Sequence, residues 1–157
     1  MTKVVQVEAP RRSSSLRSFQ ERDLELAPVV ADLVSPLRSF NVGIDRLALE
    51  FDEGSIHFFP SDGVVGFRVY KKGHGRPLDR SLAEPFMIQY QGLAPRLYDP
   101  KRLLRPCVGS LLFRVHGSSF FYNMIFLDDG ESIVLCINEI VFSETRESGL
   151  LIAEADV

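Results

Sequence analysis

The sequence predicts a mainly β protein: an antiparallel sheet of about eight strands, curled into a roll, barrel or sandwich, with one short N-terminal helix. Three observations predict it. Apolar residues recur at every second position through most of the chain, the period of a half-buried strand. Short runs of Asp, Glu, Ser and Gly separate these stretches and suit tight turns. Only one stretch has helical spacing, so helices do not alternate with strands and a parallel α/β sheet is disfavoured.

Residues 1–18 carry a net charge of +3 and the run Pro10-Arg-Arg-Ser-Ser-Ser15. With no period and little to bury, they read as a flexible basic tail whose deletion leaves the melting temperature unchanged. Residues 19–157 form a single β-rich domain, a size that fits the 157-residue chain with its 45% hydrophobic content. Within 19–37, Val29, Leu33 and Leu37 lie four apart beside Val30 and Val34. That stripe predicts the helix, with Pro28 in its first turn and Pro36 at its stop.

Residues 44–70 predict a three-stranded meander. Leu47, Leu49 and Phe51 alternate with polar or small residues, as do Ile56 and Phe58, then Val65, Phe67 and Val69. Asp52-Glu-Gly54 and Pro60-Ser-Asp-Gly63 are its turns. Residues 71–105 break the pattern with Lys71-Lys-Gly-His-Gly-Arg-Pro77 and a proline-rich run from Pro95 to Pro106. A connection of this length without clear regular structure is usually functional or mobile.

Strands resume at residue 108. Leu111, Phe113 and Val115 alternate. Ser119–Leu127 and Ser132–Ile137 form a hairpin across Asp128-Asp129-Gly130, where Gly supplies positive φ. Asn138-Glu139 reads as a break, and Leu150–Ala153 as a last short strand. The expected core is Phe51, Ile56, Phe58, Phe67, Phe113, Phe126 and Leu135. Phe51–Phe58 and Leu127–Leu135 share an acidic-acidic-Gly turn, a pattern open to duplication or to convergence on common turn chemistry.

Charge divides by segment. Residues 19–67 and 106–157 each carry −6, whereas 68–105 carry nine basic and three acidic side chains, a net of +6. The basic segment includes Arg68, His74, Tyr90, Arg96, Tyr98 and Arg102, and Tyr and Arg are enriched at interface hot spots. It is the expected binding surface. A second candidate is a polar sheet face of Glu50, His57, Arg114 and His116, with an acid–base or anion site as its sharp reading and a solvated face as its bland one.

Other chemistry is weakly supported. The three histidines and two cysteines show no metal-ligand spacing, so no metal and no cofactor is expected. Lys71–Arg76 lacks the order of a phosphate loop and no helix pattern follows it. No Gly-x-Ser-x-Gly elbow is present. No apolar run reaches the length of a membrane span or a signal peptide, and Cys107 and Cys136 sit in apolar contexts. A reduced, cytoplasmic protein is expected.

The run Tyr122-Asn-Met-Ile-Phe-Leu-Asp-Asp-Gly-Glu-Ser-Ile-Val-Leu135 resembles the C-terminal hairpin of small bacterial β-rich domains, some of them immunity proteins of polymorphic toxin systems. The resemblance is confined to this hairpin and implies protein binding, with no site residue carried over. The first reading is therefore a non-enzymatic module that binds another protein. An enzyme or binding protein acting on an anionic small molecule at the Arg/His face is the alternative. Nucleic-acid binding through the tail and residues 68–105 is a second alternative, opposed by the net charge of −3.

Overall fold

The alternating segments pair into two facing sheets. The computed structural model describes residues 4–8, 24–25, 35–61, 63–74, 84–90, 93–118 and 121–154, with backbone alone at 7, 24–25 and 116–118. The smaller sheet is a meander of β3 (Ser39–Val42), β4 (Leu47–Glu50), β5 (Gly54–Ser61) and β6 (Val64–Lys71), in that order. The larger contains β1 (Val4–Glu8), β2 (Leu24–Glu25), β7 (Phe86–Tyr90) and β8 (Arg96–Tyr98). It also contains β9 (Leu111–Ser118), β10 (Phe121–Asp128), β11 (Glu131–Phe142) and β12 (Ser148–Glu154). Its strands run β2-β9-β10-β11-β1-β7-β8, with β12 paired to β11 as well. Among the described residues neither sheet closes into a barrel. Every pairing is antiparallel except β1 with β7.

The hairpin of β10 and β11 closes through two residues. Asp128 pairs with Glu131, and Asp129 and Gly130 between them have φ of 47° and 81°. Two consecutive positive φ values define the turn whose twist matches the flanking strands. The acidic-Gly turn of β4 and β5 has the same two-residue length but is built differently: the Phe51 N–H donates to the Gly54 carbonyl at 2.7 Å, and neither Asp52 nor Glu53 between them has positive φ. Shared composition thus produces two different turns.

The sheets meet through aromatic side chains. Phe58 and Phe67 of the small sheet pack on Tyr122 of the large one, with ring centroids 5.9 and 6.1 Å away. Ile56, Phe58 and Phe126 are fully buried and Leu135 nearly so, Phe51 is buried, and Phe67 is half-buried against the same cluster.

Phe113 breaks the expectation, being 60% exposed. The β9–β10 register pairs Ile125 with Arg114 but Phe126 with Leu112, so Phe113 is the extra residue of a β-bulge. A bulge reverses the facing of all residues on one side of it. Leu112 and Val115 consequently point inward, although an uninterrupted period of two would place them on opposite faces.

Four other expectations change. The N-terminal tail contains β1, a strand held between β7 and β11; residues 9–18 lie outside the described residues. Of the helix expected over 19–37, residues 24–25 pair with β9 as a strand and 35–37 are not helical, with Pro36 bridging Leu111. The remainder of that helix lies outside the described residues. The described α-helix, α1 (Pro100–Leu104), lies instead in the stretch read as irregular. Asn138 and Glu139 do not interrupt β11, because Asn138 is buried and pairs with both Phe121 and Leu151.

Candidate functional site

The proline-rich stretch is ordered by a cap. Asp99 Oδ1 accepts a hydrogen bond from the Arg102 N–H at 3.4 Å, and Pro100 occupies the first helical turn, where its missing N–H costs nothing. Asp99 thereby starts α1 directly after β8 and sets Arg102 on its exposed side.

Tyr98 fixes β8 to the body. Its hydroxyl donates to the Leu150 carbonyl at 3.3 Å and accepts from the Ile152 N–H at 3.1 Å. Burial pushes the phenol far above its ordinary pKa, and the Ile152 amide offsets only part of that. The hydroxyl remains protonated at neutral pH. Arg96, two residues earlier, places its guanidinium 5.6 Å from the centre of the Tyr90 ring, within cation–π range.

These elements border a cleft of about 830 Å³. Ile88, Ile133, Leu135, Leu151 and Ile152 supply apolar lining. Arg96, Leu97, Tyr98, Asp99 and Arg102 form another part of the wall, and Glu154 is also in contact with it. Leu97 is 55% exposed, an apolar side chain left facing water beside two cations.

The structure divides the sequence-predicted site residues. Arg96, Tyr98 and Arg102 share the cleft, and buried Tyr90 lies under Arg96. Arg68 is exposed on β6, and His74 is exposed in the following turn, where its N–H donates to the Lys71 carbonyl at 2.9 Å. Both sit in or beside the smaller sheet, so the described cations of residues 68–105 do not form one stripe.

The second candidate face separates as well. Glu50 and His57 lie on β4 and β5, whereas Arg114 and His116 lie on β9 of the other sheet. The His116 side chain is outside the described residues. His57 is not a solvated residue: it is 1% exposed, with the Tyr70 ring centred 4.7 Å away and Glu50 Oε1 3.9 Å from Nε2. Neither ring nitrogen has a hydrogen-bond partner among the described residues. Burial first, then Arg46, lowers its pKa, while partial burial raises that of Glu50. A polar hollow of about 130 Å³ touches Glu50, Ser55, Lys71 and Lys72 without including His57.

The buried imidazole has a consequence for stability. A histidine whose pKa is depressed by folding takes up its proton first in the unfolded chain. The stability it provides is complete above the unfolded value of about 6.5 and is lost as pH falls below it. Urea unfolding is expected to show a larger loss between about pH 7 and about pH 5.5 for the native chain than for His57→Gln. Equal losses would show that His57 does not titrate differently on folding.

Cys107 and Cys136 are buried thiols and are not joined in a disulfide. Burial raises the Cys107 thiol to about 11, and Cys136 Sγ accepts from Asn138 Nδ2 at 3.2 Å. The Cys107 environment disfavours a nucleophilic thiolate. No group of three or more His, Cys, Asp or Glu able to hold a metal occurs among the described residues. No described helix is long and apolar enough to cross a membrane.

No protein-family model matches the chain, and neither a curated protein nor a solved structure does.

The functional reading therefore rests on geometry. Sequence reasoning identified the cationic residues of the cleft but missed Leu97, Leu103, Leu151, Ile152 and Glu154, which come to it from β8, α1 and β12. One signal was available: Asp99-Pro100 followed by Lys-Arg-Leu-Leu is a capped helix start.

Proposed function

We propose that this protein is a binding module that holds an acidic, leucine-like segment of another protein in the Arg96–Arg102 cleft. One observation supports this above the others: two cations and an exposed Leu97 border the same apolar-lined cleft. Apolar lining supplies affinity through burial, and Arg side chains orient carboxylates. Asp99 caps α1 and Glu154 comes from β12, so the preference for anions rests on where Arg96 and Arg102 sit and not on the net charge of the lining.

The hairpin resemblance supports an immunity-type form of this reading, in which the bound segment belongs to a toxin. The two buried thiols, not joined in a disulfide, support a reducing, cytoplasmic setting.

The test compares a blocked hexapeptide of alternating leucine and aspartate with its leucine–lysine counterpart, by fluorescence anisotropy on the full chain. The acidic peptide is expected to bind at least about tenfold more tightly, with the difference shrinking as salt rises. Arg96→Ala with Arg102→Ala should abolish that preference. Tyr98 is left intact because its hydroxyl holds β12. Equal binding of both peptides, or no effect of the double variant, would remove the cleft from consideration.

A further inference from the structure

The Tyr98 hydroxyl does for β12 what a neighbouring strand would do. In an antiparallel ladder, alternate residues turn both backbone polar groups to the same side. Leu150 turns its pair away from β11: its N–H donates to the Ile44 carbonyl at 2.9 Å, and its carbonyl accepts from Tyr98 Oη. Ile152 directs its N–H to that same oxygen. One hydroxyl thus fills the rung between the carbonyl of residue 150 and the amide of residue 152.

The next rung along β12 is the Ile152 carbonyl and the Glu154 N–H, about 6.8 Å further on. Both residues line the cleft. Neither group has a hydrogen-bond partner among the described residues. Tyr98 therefore ends the capping of this edge where the cleft begins.

We propose that the main chain of an extended acidic peptide pairs with this rung, adding a strand to the edge of β12 inside the cleft. This rests on the cleft being the binding site and specifies how it is occupied. Three features fit a strand. The open rung asks for one donor and one acceptor, which a single peptide residue offers. The alternation of a strand sends one set of side chains to the apolar lining and the other outward, where Arg96 and Arg102 meet carboxylates. A helical ligand keeps the backbone groups along its length bonded within itself and, laid on this edge, would leave the Ile152 carbonyl covered and unpaired, a costly outcome.

The test uses the blocked leucine–aspartate hexapeptide in two N-methylated forms. One carries methyl groups on every leucine nitrogen and the other on every aspartate nitrogen. Each form blocks one edge of the strand, because the N–H groups of alternate residues point the same way. One form is expected to lose at least about tenfold in affinity and the other to keep it. Exchange of the Glu154 amide proton should slow when the unmethylated peptide binds. If both methylated forms bind like the parent while Arg96→Ala with Arg102→Ala still weakens all three, the strand geometry is overturned and the cleft stands. If no form binds, both ideas fail together. If the full chain sediments as a dimer that the peptide does not dissociate, a second copy occupies the rung and the proposal is overturned.

Discussion

Deleting residues 1–8 is expected to lower the melting temperature by about 10 °C or more, because it removes a strand from within the larger sheet. β1 pairs in parallel with β7 from Val4–Met87 to Val7–Tyr90, and antiparallel with the end of β11. In the strand order it is the sole link from β11 to β7 and β8. Its loss forfeits these ladder bonds and others besides. The Gln6 side chain donates to Gln89 Oε1 at 2.7 Å, the Ser143 N–H donates to the Gln6 carbonyl, and Glu8 pairs with Arg146. At about 1 kcal/mol net for each hydrogen bond lost, the sum reaches about 4 kcal/mol or more. For a chain of this length each kcal/mol is worth about 2–4 °C. The deletion should also weaken peptide binding, since β8 carries Arg96 and Tyr98 into the cleft. A melting temperature within about two degrees of the native value would return residues 1–8 to the status of a dispensable tail.

The physical reason that β1 was illegible applies to the site too. Val5 and Val7 alternate with Gln6 and Glu8, which is a strand pattern, but five residues supply too little signal beside an arginine- and serine-rich run. Their partners lie more than seventy residues away, and a parallel pairing has no turn to announce it. The meander of β4, β5 and β6 and the β10–β11 hairpin were legible because turn chemistry and alternation agree within a few residues. Even Pro60 fits within β5. It pairs with Val65 beyond the last rung that β4 supplies, so no ladder bond needs its missing N–H.

The candidate cleft was half legible. Arg96, Tyr98 and Arg102 stand out as types enriched at interfaces. Tyr98, however, is used mainly by the fold: it is 5% exposed and its hydroxyl bridges two backbone groups of β12. Residue type alone does not distinguish an anchor for a partner from an anchor for a neighbouring strand. Ile152 and Glu154 line the cleft from β12, and no local sequence motif announces that β12 lies beside β8.

Phe126→Ala is expected to cost about 3–5 kcal/mol, the range for a phenylalanine emptied from a packed interior. Phe126 is fully buried, opposite Ile133 on β11 and Leu112 on β9, within the cluster that joins the two sheets. Its ring sits beside the bulge, where the strand is already irregular, but the ladders of β10 with β9 and β11 hold Leu112 and Ile133 on either side of it and limit how far they can close over the void. The cavity term should therefore be added to the lost transfer energy rather than absorbed by collapse. Phe113→Ala supplies the internal comparison. The same residue type, on the paired strand and beside the same bulge, is turned to solvent, and its truncation should change stability by no more than about 0.5 kcal/mol. Urea unfolding of the two variants measures both. If the costs are similar, or their order is reversed, the bulge does not set the facing of β9, and the register of β9 on β10 must be shifted by one residue.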